Sequence, residues 1–228
     1  LIKFKVKKPR GTTTYCWRPV EVTAMITFCH HDPKLPWFGD ILIALACTGL
    51  RISELASLRW SDIDFQNNLI HLTDEHRSSH QLTDREARET KSGRDRSLPI
   101  HPDLLVVLNK LPRSEDGLVF HGPRGNRLVP FTIRDILIRR VIAPLASKFP
   151  HAKDERGFRD GRLHSFRHYF CSMCAMNGTP ERIVMDWLGH SDSEMVTRYF
   201  HLLAGESQKK MNQICFVKSE PNQRGEDD

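Results

Sequence analysis

Two arginines, two histidines and a tyrosine stand out for what they could do to a phosphate: Arg51, Arg167, His164, His190 and Tyr199. A phosphodiester in its transition state spreads negative charge over its non-bridging oxygens. Planar guanidinium forks match that geometry and stay charged at any working pH. Arg51 opens a helical pattern directly after a glycine-ended apolar one, so it projects from a rigid junction, and Glu54 one turn on is placed to orient it. His164 and Arg167 stand at i, i+3, so imidazole and guanidinium converge from one helix face. His190 follows a Leu188-Gly189 helix stop, and Tyr199 comes nine residues later on the next short helix, close enough to be turned back to the same pocket. Singly, each has a plainer reading: a surface arginine in a first turn, a capping histidine, a half-buried tyrosine.

A metal reading competes for one stretch. His164, His168, Cys171 and Cys174 fall at i, i+4, i+7 and i+10 on a single helix. One straight helix cannot wrap a tetrahedral ion, and the Glu that a zinc-protease helix needs after its first His is absent. Phe166, Tyr169, Phe170, Met173 and Cys174 are better read as core.

The elements that must position these residues are mainly helical. Val20–His30 and the nearly all-apolar Phe38–Thr48 read as helices, the second buried on most faces and stopped by Gly49. Arg51–Arg59 follows, with Ile52, Leu55 and Leu58 on one stripe. Ile63–Leu72 alternates around an Asn67-Asn68 turn, and Ser97–Ile100 resumes as a short strand. The polar stretch Thr73–Thr90 between them reads as a long loop in a small sheet. Helices return at His101–Leu111, Phe131–Phe149 and His164–Asn177. Pro180–Leu188, with Thr179 as N-cap and Pro at N1, and Ser193–Leu202 complete the set. The fold class is mainly α with a small antiparallel β-sheet (α+β).

Composition bounds the partners. The 228 residues suffice for one large domain or two small ones, and 39% hydrophobic with 27% charged residues exclude a wholly disordered chain. A formal net charge of +6 fits a polyanionic partner without demanding one. No apolar run approaches the ~18 residues of a membrane span. The six cysteines (Cys16, Cys29, Cys47, Cys171, Cys174, Cys215) are irregularly spaced, which reads as reduced thiols of a cytoplasmic protein. Residues 1–10 carry five basic and no acidic side chains, an arm whose lysines could track phosphates or simply be solvated. The chain opens at Leu1 without a signal-like segment and reads as part of something longer.

Residues 48–59 (TGLRISELASLR), 164–168 (HSFRH), 188–190 (LGH) and 197–201 (TRYFH) together resemble the catalytic domain of the tyrosine recombinases, the phage-integrase family. The resemblance covers about residues 16–205. Lys91, in the run TKSGRDRSLPI, fits it too, eight residues before Pro99 as a hairpin lysine stands in that family. The resemblance implies the tyrosine-recombinase catalytic-domain fold. It also implies a site-specific recombinase or integrase that cuts and rejoins DNA through a 3′-phosphotyrosyl intermediate. Arg51 and Arg167 would hold the scissile phosphate, and His190 would donate to a non-bridging oxygen. His164 would assist deprotonation of the nucleophile, Lys91 would protonate the leaving 5′ oxygen, and Tyr199 would attack phosphorus. No metal or other cofactor is implied, because arginines take over the charge stabilisation. The implied partners are double-stranded DNA and, on synapsed DNA, three further copies in a homo-tetramer; no membrane is implied.

Ser165 departs from the family, which usually carries an acidic residue there. Arg94 and Arg96 are rivals of Lys91 for the leaving-group position. The expected layout is a basic arm or linker (1–15), a catalytic domain (16–205) and a C-terminal tail (206–228). In the tail, Ile214–Val217, with Phe216 as anchor, suits docking on a neighbouring protomer. A non-catalytic DNA-binding protein and a type IB topoisomerase are alternatives on the same fold. All six polar positions stand against the first, and the small size and the tail after Tyr199 against the second. The remaining tyrosines, Tyr15 and Tyr169, read as packing residues.

Overall fold

The computed structural model describes residues 14–73, 95–152, 155–189 and 196–197. At its centre is helix α2 (Pro36–Thr48), which buries Phe38, Ile41, Leu42, Ala44 and Leu45. A helix apolar on most faces needs cover on most faces. Three neighbours supply it: α1 (Pro19–His31), α4 (Pro102–Lys110) and α7 (Leu163–Met176). Val22, Met25 and Cys29 of α1, Leu104, Val107 and Leu108 of α4, and Phe166 of α7 join one continuous core. Trp17 enters it from before α1, its ring 4.8 Å from that of Phe166.

A three-stranded antiparallel sheet flanks this core in the order β1 (Ile63–Asp64), β2 (Leu69–Leu72), β3 (Arg96–Pro99). Ile63 pairs with Ile70 and Ile70 with Leu98, so the inward positions line up across the strands. Asn68 takes φ 54° in the turn, as expected of an Asn-Asn corner. The loop expected at Thr73–Thr90 lies, beyond Thr73, outside the described residues.

The expected class, mainly α with a small antiparallel sheet, holds, but three elements differ. The Arg51–Arg59 pattern yields only α3, Ile52–Ala56, with Arg51 as its extended N-cap (φ −69°, ψ 149°). The Ser57 hydroxyl donates to the Glu54 carbonyl, and the Leu58 carbonyl is taken by the Val119 amide at 2.9 Å, so cross-chain pairing replaces a further turn. The expected Phe131–Phe149 helix begins as α5 (Pro130–Ile136), widens into a π turn over Leu137–Ile142, and continues as α6 (Ala143–Leu145). Pro144 cannot donate to the Arg140 carbonyl and its ring crowds that position; the wider turn just upstream makes room. α8 runs Glu181–Leu188 with Pro180 itself as the N-cap, because Pro180 is extended at ψ 136°. Thr179 instead donates its amide to the Cys174 carbonyl. Of the expected Ser193–Leu202 helix only Val196 and Thr197 are described, both helical.

A second, smaller cluster joins Phe170 and Cys171 of α7 with Val184, Met185 and Leu188 of α8 and with Val196. Gly49, which ends α2 at φ 61°, faces this cluster. A Cβ there would stand 2.8 Å from Phe170 Cδ1 and 3.0 Å from Leu188 Cδ2. Gly49→Ala therefore combines a left-handed backbone penalty with overpacking, and should cost about 2–4 kcal/mol in urea or guanidinium denaturation. Gly125→Ala, at φ +74° with open space around it, should cost only the backbone part, about 1–2 kcal/mol.

Candidate active site

Where α2 stops, the chain makes a fixed corner. The Gly49 amide closes on the Leu45 carbonyl at 3.0 Å, and the Leu50 amide donates to the Thr48 hydroxyl at 3.2 Å. The next residue is Arg51. Its amide donates to Glu54 Oε2 at 2.9 Å and its Nη1 to Glu54 Oε1 at 3.1 Å, so one carboxylate grips both ends of the residue. The i, i+3 spacing expected of this pair is thus realised. The Arg51 side chain remains one-fifth exposed, while that of Glu54 is 4% exposed.

Two further arginines close in from elsewhere. Arg167, on α7, is almost fully buried and donates through Nη1 to the Gly49 carbonyl and through Nη2 to the Leu188 carbonyl, both at 2.8 Å. Arg96, on β3, donates through Nε to the Trp187 carbonyl at 3.0 Å and places Nη2 2.9 Å from Glu54 Oε1. These carbonyls end α2 and α8, where helices leave acceptors unpaired and carry partial negative charge. Burial pushes the Arg167 guanidinium down to about 10, with Arg51 adding repulsion and Glu54 opposing it. Burial would raise the Glu54 carboxyl, but Arg96, the Arg51 amide and the Arg51 charge outweigh it and hold it below the usual carboxylate range.

Arg51 and Arg167 therefore meet around one corner, with Arg51 toward solvent and Arg167 behind it. His164 is exposed on α7, one turn before Arg167, its ring 5.2 Å from that of His168 and edge-on to it. Ser165 is buried, and its hydroxyl accepts the Arg162 amide at 3.0 Å, capping the first turn of α7 on which His164 sits. Lys91, His190 and Tyr199 lie outside the described residues, as does Arg94. α8 ends as expected at Gly189, left-handed at φ 69°. Tyr15 and Tyr169 are packing residues. The Tyr15 hydroxyl donates to the Glu21 carboxylate, and burial with that carboxylate pushes the phenol up to about 12; Tyr169 is likewise raised, by burial first.

Arg96, named above as a rival of Lys91 for the leaving-group position, is the member of this group whose partners the sequence did not suggest. Its side chain is 3% exposed and is engaged by Glu54 and the Trp187 carbonyl. Strand parity carried the signal of its burial: Leu98 and Ile100 point inward, so Arg96 must as well. For metal ligation, Cys47, His101 and Asp103 offer ligand atoms within 4.8 Å of one another at the surface between α2 and α4. The His101 Nδ1 there already accepts the Asp103 amide as the N-cap of α4. Among the described residues no helix is long and apolar enough to cross a membrane.

Comparison with known proteins gives consistent matches. The sequence model of the phage integrase family matches residues 17–206. An integrase of Salmonella phage P22 is 24% identical over 220 residues, 96% of this chain and 52% of that protein. A tyrosine recombinase XerC of Xanthomonas axonopodis pv. citri is 27% identical over 163 residues, 68% of this chain and 43% of that protein. The chain thus spans about half the length of the relatives it matches. Among solved structures, the Tn1549 transposon integrase in complex with a circular intermediate DNA superposes with a TM-score of 0.67 at 20% identity, over 90% of this chain and 67% of that one. The catalytic domain of bacteriophage HP1 integrase superposes with a TM-score of 0.56 at 23% identity, over 89% of this chain and 97% of that one. With a family match over most of its length and the fold of these catalytic domains, the chain belongs to the phage integrase family.

Proposed function

We propose that this chain is the catalytic part of a site-specific DNA recombinase that cuts and rejoins strands through a 3′-phosphotyrosyl bond. The observation that carries the reading is the corner at Gly49–Arg51, where an outward-facing arginine is held at both ends by a buried carboxylate and backed by a second arginine. Such a corner suits a tetrahedral anion better than a passing backbone contact, because its guanidinium needs no reorganisation when charge develops. In this reading Arg51 and Arg167 stabilise the scissile phosphate and His190 donates to a non-bridging oxygen. His164 helps take the proton of Tyr199, whose phenol ionises near pH 10 when free and so needs help near neutrality. Lys91 returns a proton to the leaving 5′ oxygen. The bond to tyrosine preserves the phosphodiester's energy, so the strand rejoins to another 5′ hydroxyl without ATP.

Solved relatives point to the partners. One is the Tn1549 integrase with circular intermediate DNA, and another is a lambda integrase tetramer bound to a Holliday junction. By that likeness this chain acts on double-stranded DNA, as a homo-tetramer on paired sites; the compartment in this reading is the cytoplasm. Residues 16–205 form the catalytic domain, 1–15 a basic arm and 206–228 a tail that docks on a neighbouring protomer through Phe216.

The test begins by recovering the preferred duplex from a random library and building a nicked suicide substrate on it. A covalent, denaturant-resistant protein–DNA adduct that disappears in Tyr199→Phe is the expected result. Binding without an adduct returns a non-catalytic DNA-binding protein; relaxation of supercoils without strand exchange returns a topoisomerase. Lys91→Ala should slow cleavage about 10²–10⁴-fold on the oxygen substrate. It should recover when sulfur replaces the 5′ bridging oxygen, a leaving group that needs no proton, whereas Arg51→Ala should not recover.

A further inference from the structure

Arg96 has no part in the chemistry outlined above, yet it is one of the most enclosed charges among the described residues. Its side chain is 3% exposed, so it cannot touch DNA. Its Nε is fixed by the Trp187 carbonyl at 3.0 Å. Its charge then falls 2.9 Å from Glu54 Oε1, the same oxygen that receives Arg51 Nη1 at 3.1 Å. Nη2 of Arg96 faces Glu54 at 2.9 Å without full hydrogen-bond alignment, so attraction between the two charges is the larger part of what its charged end supplies.

We propose that Arg96 is a positioning residue that neutralises Glu54 from behind, leaving the charge of Arg51 for an outer anion, and ties the end of α8 to the same carboxylate. The balance of charges explains why the arrangement needs it. With Arg51 alone, Glu54 would cancel the only outward cation of the corner. With Arg96 added, the trio carries a net positive charge, and repulsion between the two guanidiniums keeps Arg51 on the solvent side. The Nε bond extends the effect, because the Trp187 carbonyl is adjacent to the Leu188 carbonyl held by Arg167. Two arginines from different elements thus fix consecutive carbonyls at the end of α8. The catalytic consequence of this role rests on the recombinase reading; the link among Arg96, Glu54 and Arg51 does not.

Both layers are open to test on the full chain. Without DNA, the Glu54 carboxyl is followed by carbon NMR against pH, together with the guanidinium signals of Arg51. In the parent, Glu54 should stay ionised below its ordinary value of 4.5. In Arg96→Gln it should protonate at higher pH and the Arg51 signals should shift, whereas an unchanged titration overturns the link. Should Arg96→Gln fail to fold, Arg96→Met, which keeps an unbranched stem without the charge, serves the same purpose, whereas Arg96→Lys, which keeps the charge, should leave the Glu54 titration near the parent's. On the suicide substrate, Arg96→Gln should cleave on the order of tenfold to a hundredfold more slowly in single turnover. The Kd for the duplex should change no more than about twofold, because a buried charge makes no phosphate contact. In a Glu54→Gln background the same substitution should have little further effect, since the group through which it acts has gone. Rescue by a sulfur leaving group, losses that multiply with Glu54→Gln, or parental rates would each overturn the proposal. No adduct from the parent protein would sink the recombinase reading alone, and the Glu54 titration would still decide the positioning link.

Discussion

Glu54 is a carboxylate shielded from water, and its neighbours are arranged to keep it ionised. Burying such a group unpaired costs several kcal/mol, and removing one partner from a buried pair costs about 3–5 kcal/mol. The fold meets that cost with a backbone amide and two guanidiniums. It follows that the corner after α2 cannot drift. Arg51 is the residue with least freedom there, since its own amide and its own side chain bond the same carboxylate. An arginine on a helix surface is ordinarily a loose cation; here the local backbone and the side chain are specified by one interaction.

The buried arginines also solve a problem that helices create. α2 and α8 both end in glycines of left-handed conformation, at φ 61° and 69°, and such ends leave carbonyls turned away from the helix. Arg167 takes one carbonyl from each, and Arg96 takes the neighbouring carbonyl of α8. Lowered to about 10, Arg167 is still overwhelmingly protonated near neutrality, so the clamp keeps its charge. Bonds to carbonyls that carry the negative end of a helix are a low-cost way to hold several cations close together. A concentration of positive charge that would fly apart on an open surface becomes a rigid feature of the interior.

Much of this was legible in the sequence because local rules and packing agreed. An unbroken apolar run followed by Gly49 could only be a covered helix with a sharp stop, and Arg51 and Glu54 could only face each other. The rest depended on distant partners. Arg167 reaches Gly49 across 118 residues and Arg96 reaches Trp187 across 91, and no periodicity encodes such contacts. α3 ends sooner than its pattern suggests, because Leu58 looks like a third stripe residue. It is buried, but by pairing its carbonyl with Val119 rather than by continuing the helix. The burial of Arg96 could be read from its parity with Leu98, but its partners, Glu54 and the Trp187 carbonyl, could not.

The apolar interior is divided into two bodies, and α7 belongs to both: Phe166 lies in the larger and Phe170 in the smaller. Arg167 falls between them in sequence and also in what it bonds, since Gly49 closes a helix of the large body and Leu188 a helix of the small one. The anion-facing corner thus stands on a seam. Cooperative units of a protein open with their own free energies, and a bond across a seam ties those energies together. Breathing of the lesser body therefore registers at the corner through the Arg167 and Arg96 guanidiniums, so the firmness of the corner is inherited from two interiors rather than one.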